Sequence, residues 1–231
     1  MSILTLFVVI PVLMLLGLWF SKNLAQVRGV MVAGASALLV LAIWLTVTFI
    51  QMRHAGNTDP MLFTYSVAWF PSLHIAYSVG VDGISVVMLL LSAIIVFTGT
   101  FASWQAMSNH KEYFLWFTLL STGVFGFFIS VDMFTMFMFY EVALIPMYLL
   151  IGVWGTGAKE YAAMKLTLML MGGSALLIIG ILAIYFFSGA TTMNINEIAA
   201  MANIPENVQN IFFPLLFIGF GVLGALFPFH A

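Results

Sequence analysis

Phe139-Tyr140-Glu141-Val142-Ala143-Leu144-Ile145-Pro146-Met147-Tyr148-Leu149-Leu150 sets one carboxylate in an otherwise uncharged apolar run. The run extends outward from Asp132 to Val153, and Glu141 is its only charge beyond the first residue. At 1.5 Å per helical residue, a stretch of this length covers about 30 Å, the hydrocarbon thickness of a bilayer. Glu141 stands nine residues after Asp132, about 13–14 Å along the helix and so near the midplane. A charge at that depth costs at least ~2.5–3.5 kcal/mol on insertion scales. A carboxyl group in that setting responds strongly to any nearby cation or water. Two readings follow: a group that handles protons or ions, which is the default for an ionisable residue in a membrane, or a carboxylic acid that only bonds neighbouring helices. Pro146 frees the carbonyl of Val142 and so opens a place for water beside the carboxylate.

The rest of the chain has the same character. Of 231 residues, 64% are hydrophobic and 6% charged, with 6 Lys+Arg and 8 Asp+Glu. Soluble domains carry about 25% charged residues, so only a bilayer can cover this core. The net charge of −2 argues against a nucleic-acid partner. Cysteine is absent, which excludes disulfides, thiolate metal sites and iron–sulfur ligation within the chain. No glycine-rich phosphate loop is present. His54, His74 and His110 lie in loops without ligand spacing, so no metal site is expected.

Seven apolar runs have spanning length: roughly Ser2–Phe20, Gly29–Ile50, Gly83–Trp104, Glu112–Ser130, Asp132–Val153, Tyr161–Ser188 and Asn210–His230. The expected fold is an all-α, polytopic membrane helix bundle, treated as one transmembrane domain over residues 1–231. The first run has no basic leader region or small-residue cleavage site, and reads as a retained helix. Lys22, Arg28, Lys111 and Lys159 fall in loops on one face, with only Arg53 on the other. That bias makes the first face cytoplasmic and leaves the N-terminus outside. Between residues 51 and 82, Leu62–Trp69 and Ile75–Val79 flank a turn at Pro71-Ser72 and read as a hairpin on the outer surface. Residues 194–203 read as a short interfacial helix capped by Asn194, with Glu197 three residues on. The chain stops at Ala231 in or just after an apolar helix, so a longer protein is expected.

Two further residues join Glu141 as candidates. Lys165 lies about one turn into the sixth span, several Å nearer the cytoplasmic face than Glu141. It either acts on the carboxylate electrostatically, or supplies it with protons, or snorkels to the interface. His230 follows Pro228 in a span weakened by Gly219, Gly221 and Gly224. It is either a proton relay in an irregular, wet stretch of helix or a terminal histidine in water. Asp132 and Glu112, at span ends, read as solvated caps.

Three stretches carry a family resemblance: Tyr77-Ser78-Val79-Gly80-Val81-Asp82-Gly83-Ile84-Ser85; the Glu141 run continued through Gly152-Val153-Trp154-Gly155 and Tyr161-Ala162-Ala163-Met164-Lys165; and Phe227-Pro228-Phe229-His230. In these the whole chain resembles the antiporter-like membrane subunits of NADH:quinone oxidoreductase, respiratory complex I, and most of all subunit M, or chain 4. The resemblance implies the first half of an inverted-repeat antiporter-like fold, in a subunit that translocates protons while quinone is reduced elsewhere. It implies no cofactor in this chain, with flavin and iron–sulfur clusters in other subunits. Its implied partners are the other membrane-arm subunits, the bilayer and protons, in the cell's inner (plasma) membrane. The family's glutamate, sixth-span lysine and broken-helix histidine match Glu141, Lys165 and His230. One departure stands out. The seventh-span lysine that the family pairs with its glutamate maps to Leu223, so Lys165, His230 or a lysine beyond Ala231 must take that task, or the channel works differently. The competing readings are a subunit of a multi-subunit cation/proton antiporter or membrane-bound hydrogenase, and a helical scaffold without transport.

Overall fold

The computed structural model describes residues 2–104, 110–189, 192–201 and 204–229. Among them are eight helices: α1 Leu6–Phe20, α2 Leu24–His54, α3 Gly83–Ala102, α4 His110–Ile129, α5 Met133–Trp154, α6 Lys159–Phe187, α7 Ile195–Met201 and α8 Glu206–Leu223. Strands β1 Leu62–Phe70 and β2 Ile75–Val81 pair as a two-stranded sheet. All the helices except α7 are long and apolar enough to cross a membrane, α1 together with the 3-10 turn Ile3–Thr5 before it, which makes seven candidate spans among the described residues. The expected all-α membrane bundle is present, and so are a hairpin and a short seventh helix.

The boundaries differ in places. Helix α2 runs on to His54, so the first residues assigned to the hairpin region are still helix. The last span, expected over Asn210–His230, begins earlier and stops at Leu223. Pro205 holds φ at −56° just before it, a geometry that suits the residue preceding the first helical turn. At the other end Ala225 takes φ 51° and the Leu226 N–H bonds the Gly221 carbonyl at 2.8 Å. This is a left-handed turn that terminates a helix.

The chain divides into two compact units. The first holds α1–α4 with the base of the hairpin (1–65 and 79–129). Its core includes Leu4, Phe7, Met31, Leu38, Leu89 and Phe125, all buried. The Phe7 and Phe125 rings lie 5.5 Å apart. Charged side chains finish its helix ends. Asp82 caps α3 by accepting the Ser85 N–H at 2.8 Å. Lys111 Nζ donates to the Trp19 and Ser21 carbonyls at 2.8 and 2.9 Å, which satisfies orphan acceptors at the end of α1. Arg28 donates to the Trp104 carbonyl at 2.7 Å and lies over its indole.

The second unit holds the hairpin tip and α5–α8 (66–78 and 130–231). The connection between α5 and α6 is short, so these helices are antiparallel neighbours, and α6 packs on α8. Small residues make the α6–α8 approach close. A Cβ at Gly219 would fall 2.8 Å from Leu177 and 3.0 Å from the Gly173 carbonyl oxygen. At the head of α5 the backbone of residues 131–133 lies between two partners. Val131 N–H donates to Ser78 O of β2, Met133 N–H to Met193 O, and Ile195 N–H to Val131 O, at 2.9–3.0 Å. Ile75, Met133, Ile181, Met193 and Ile198 bury one another around this junction.

Candidate functional site

Helix α5 positions the central carboxylate. Its nine residues from Met133 to Glu141 include no glycine or proline, and Pro146 comes only after Glu141. Tyr140 is 6% exposed, and its hydroxyl donates to the Leu170 carbonyl of α6 at 3.2 Å. Glu141 itself is half-buried. Its Oε1 is buried and has no hydrogen-bond partner. An acceptor left so is costly, by about 1–3 kcal/mol and more if charged, unless a proton or water meets it. The sequence placed an ionisable group here; the structure adds that one oxygen is sealed from bulk solvent and unsatisfied by protein.

Lys165 is not brought to it. Lys165 is exposed on α6, and among the described residues the two make no ion pair within 4.0 Å. The helix register gives the reason. Tyr140 meets Leu170, and Gly152 faces Ala163, where Cβ atoms would lie 3.6 Å apart. In an antiparallel pair these contacts put Lys165 level with residues 145–150 of α5, about 6–13 Å beyond Glu141 along the axis. At the level of Glu141 stand residues 169–174 of α6, among them Gly172 and Gly173. A Cβ at Gly172 would meet nothing within 4 Å, and one at Gly173 would fall 3.0 Å from Val222. The end of α8 therefore reaches this depth, with Leu223 as its last helical residue. His230, the third candidate, lies outside the described residues.

Asp132 corrects an expectation. It caps α5, accepting the Thr135 N–H on Oδ1 at 2.9 Å, but it is 1% exposed and not solvated. Its Oδ2 accepts the Ala76 N–H of β2 at 3.3 Å, and Thr135 Oγ1 donates back to the Ala76 carbonyl at 3.1 Å. Burial, the largest influence, pushes its pKa above the ordinary 3.8 against the lowering effect of these bonds. Glu112, by contrast, is exposed in the first turn of α4. A cavity of about 540 Å³ lies among Ala183, Ile184, Gln209 and Phe213, toward the opposite end of α6 from Lys165.

A carboxylate with one sealed oxygen, in a lipid-length helix packed against a glycine-bearing neighbour, defines a multi-pass membrane protein with an ionisable group inside its helix bundle. Residues 130–231 match the family model described as NADH:quinone oxidoreductase/Mrp antiporter, transmembrane, and that part of the chain belongs to this family. It is 35% identical to NAD(P)H-quinone oxidoreductase chain 4-2 of Synechocystis sp. over 166 residues, which are 71% of this chain and 29% of the relative. Against NADH-quinone oxidoreductase subunit M of Rickettsia bellii the identity is 28%, over 89% of this chain and 41% of the relative. A chain of respiratory complex I from Thermus thermophilus with bound NADH shares the fold, with a TM-score of 0.84 at 21% identity over 98% of this chain and 45% of that one. The chain thus spans less than half the length of these relatives.

Proposed function

We propose that this chain is a proton-translocating membrane subunit of an NADH:quinone oxidoreductase, in which Glu141 alternately holds and releases a proton. The buried, unpartnered Oε1 of Glu141 carries the reading. Such an atom is satisfied by taking up a proton or by admitted water, and is left costly when neither is present. The names of the relatives support the choice of complex. The chain then works in a cell's inner (plasma) membrane beside other membrane-arm subunits. Its N-terminus faces outward, because Lys22, Arg28, Lys111 and Lys159 share the other face. Flavin and iron–sulfur clusters belong to subunits elsewhere, and no redox chemistry takes place in this chain. The cation that sets the affinity of Glu141 acts at a distance if it is Lys165; His230 is the relay group beyond the end of α8.

The test is Glu141→Gln in the assembled enzyme, reconstituted in vesicles. NADH-driven proton pumping is expected to fall at least roughly tenfold with assembly intact; pumping at the full rate overturns the proposal. Sodium-dependent proton exchange without NADH oxidation would instead assign the chain to a cation/proton antiporter, the other branch in the family description.

A further inference from the structure

We propose that Asp132 is a positioning residue whose two carboxylate oxygens tie the hairpin to the helix that carries Glu141. Each oxygen has a separate task. Oδ1 caps α5 at Thr135, and Oδ2 takes the Ala76 N–H of β2. Thr135 returns a bond to the Ala76 carbonyl, so two bonds join helix and strand beside the capping bond, all around one buried carboxylate. The neighbouring backbone bonds from Val131 to Ser78 and from Met133 to Met193 fix the same point from both sides.

A cap alone does not require this arrangement. Asp82, at the head of α3, caps with Oδ1 in the same way and remains partly exposed. Burying a carboxylate is costly unless its acceptors are met; at Asp132 the second acceptor is met by the hairpin. From this point α5 runs to Glu141 with no glycine or proline. A helix bends sharply at such residues or where its hydrogen-bond ladder is interrupted. A shift of the helix head is therefore delivered to Glu141, about 13–14 Å away, as a shift of the carboxylate.

The two tasks separate by substitution. Asp132→Asn keeps the cap through Oδ1 but sets an amide NH2 against the Ala76 N–H. Asp132→Ala removes both. Because the chain has no cysteine, Ser78→Cys provides a single label at a buried position of β2. In membranes, its alkylation by a charged maleimide is expected to accelerate roughly tenfold in Asp132→Asn, the ratio for one hydrogen bond to a charged group, and at least as much in Asp132→Ala. An unchanged rate in Asp132→Asn overturns the tie. The second readout rests on the proton-translocation reading: the pH profile of NADH-driven pumping is expected to move in Asp132→Asn. Faster labelling with an unmoved profile overturns the positioning role and leaves only a local clasp. The labelling result stands even if Glu141→Gln proves harmless, so the two proposals fail separately.

Discussion

The Tyr140 hydroxyl donates to the Leu170 carbonyl at 3.2 Å, joining α5 to α6 one residue before a carboxylate whose Oε1 receives nothing. The aromatic ring thus locks the helix pair at the depth of Glu141 and leaves the acid unencumbered.

Tyr140→Phe removes this bond and little else. The Leu170 carbonyl keeps its place in the helix ladder, so the loss is expected to be about 0.5–1.5 kcal/mol of stability. Thermal unfolding in detergent measures it. Pumping should survive far better than in Glu141→Gln; equal loss in both would mean that Tyr140 belongs to the proton path.

Gly219→Ala and Gly172→Ala form a matched pair. At Gly219 the added methyl meets Leu177 and the Gly173 backbone, at 2.8 and 3.0 Å. It is expected to push α6 and α8 apart at a cost of about 1–3 kcal/mol. At Gly172 nothing lies within 4 Å, and alanine favours the helix, so stability should hold or rise. Equal effects on unfolding temperature would contradict this packing.

Lys165 and Glu141 should couple weakly. With an axial offset of about 6–13 Å, their interaction is about 1–3 kcal/mol at an effective dielectric of about 20. A double-mutant cycle of Glu141→Gln with Lys165→Gln is expected to give about that value in pumping free energy. A coupling several times larger would require a direct contact.

Asp132 gives the junction of hairpin and α5 a pH dependence. Desolvation raises its pKa above 3.8, so the folded state favours the neutral acid. Its stabilising contribution is full below 3.8 and is lost as the pH rises through the higher, folded value. The difference in unfolding temperature between the native chain and Asp132→Asn should shrink as the pH is raised across that range. A constant difference would show that the carboxyl titrates as it does in water.

The spans, the hairpin and Glu141 were legible because each depends on local pattern: uninterrupted apolar length, β-branched and aromatic runs about Pro71-Ser72, and one charge among apolar neighbours. The capping role of Asn194 was equally local, its Oδ1 accepting the Asn196 N–H at 3.0 Å. Asp132 was read as solvated because what buries it comes from far along the chain: Ala76 in β2, and Met193 after α6. The offset of Lys165 was out of reach for a similar reason. The sequence sets the order of α5 and α6, but their sliding register depends on how Gly152, Ala163 and Tyr140 pack. Nor did the glycines of the last span say at which residue the helix would stop.

The splice at residues 131–133 also constrains the order of assembly. Ser78 and Met193, backbone partners on its two sides, are separated by 115 residues of chain. During synthesis β2 is made early, but the segment that closes the other side of the splice follows α4, α5 and α6. Contacts of such sequence separation form late, because loop closure must come first. The hairpin therefore waits through the insertion of the four helices α3 to α6, and its tip sets in place only when the segment leading into α7 arrives.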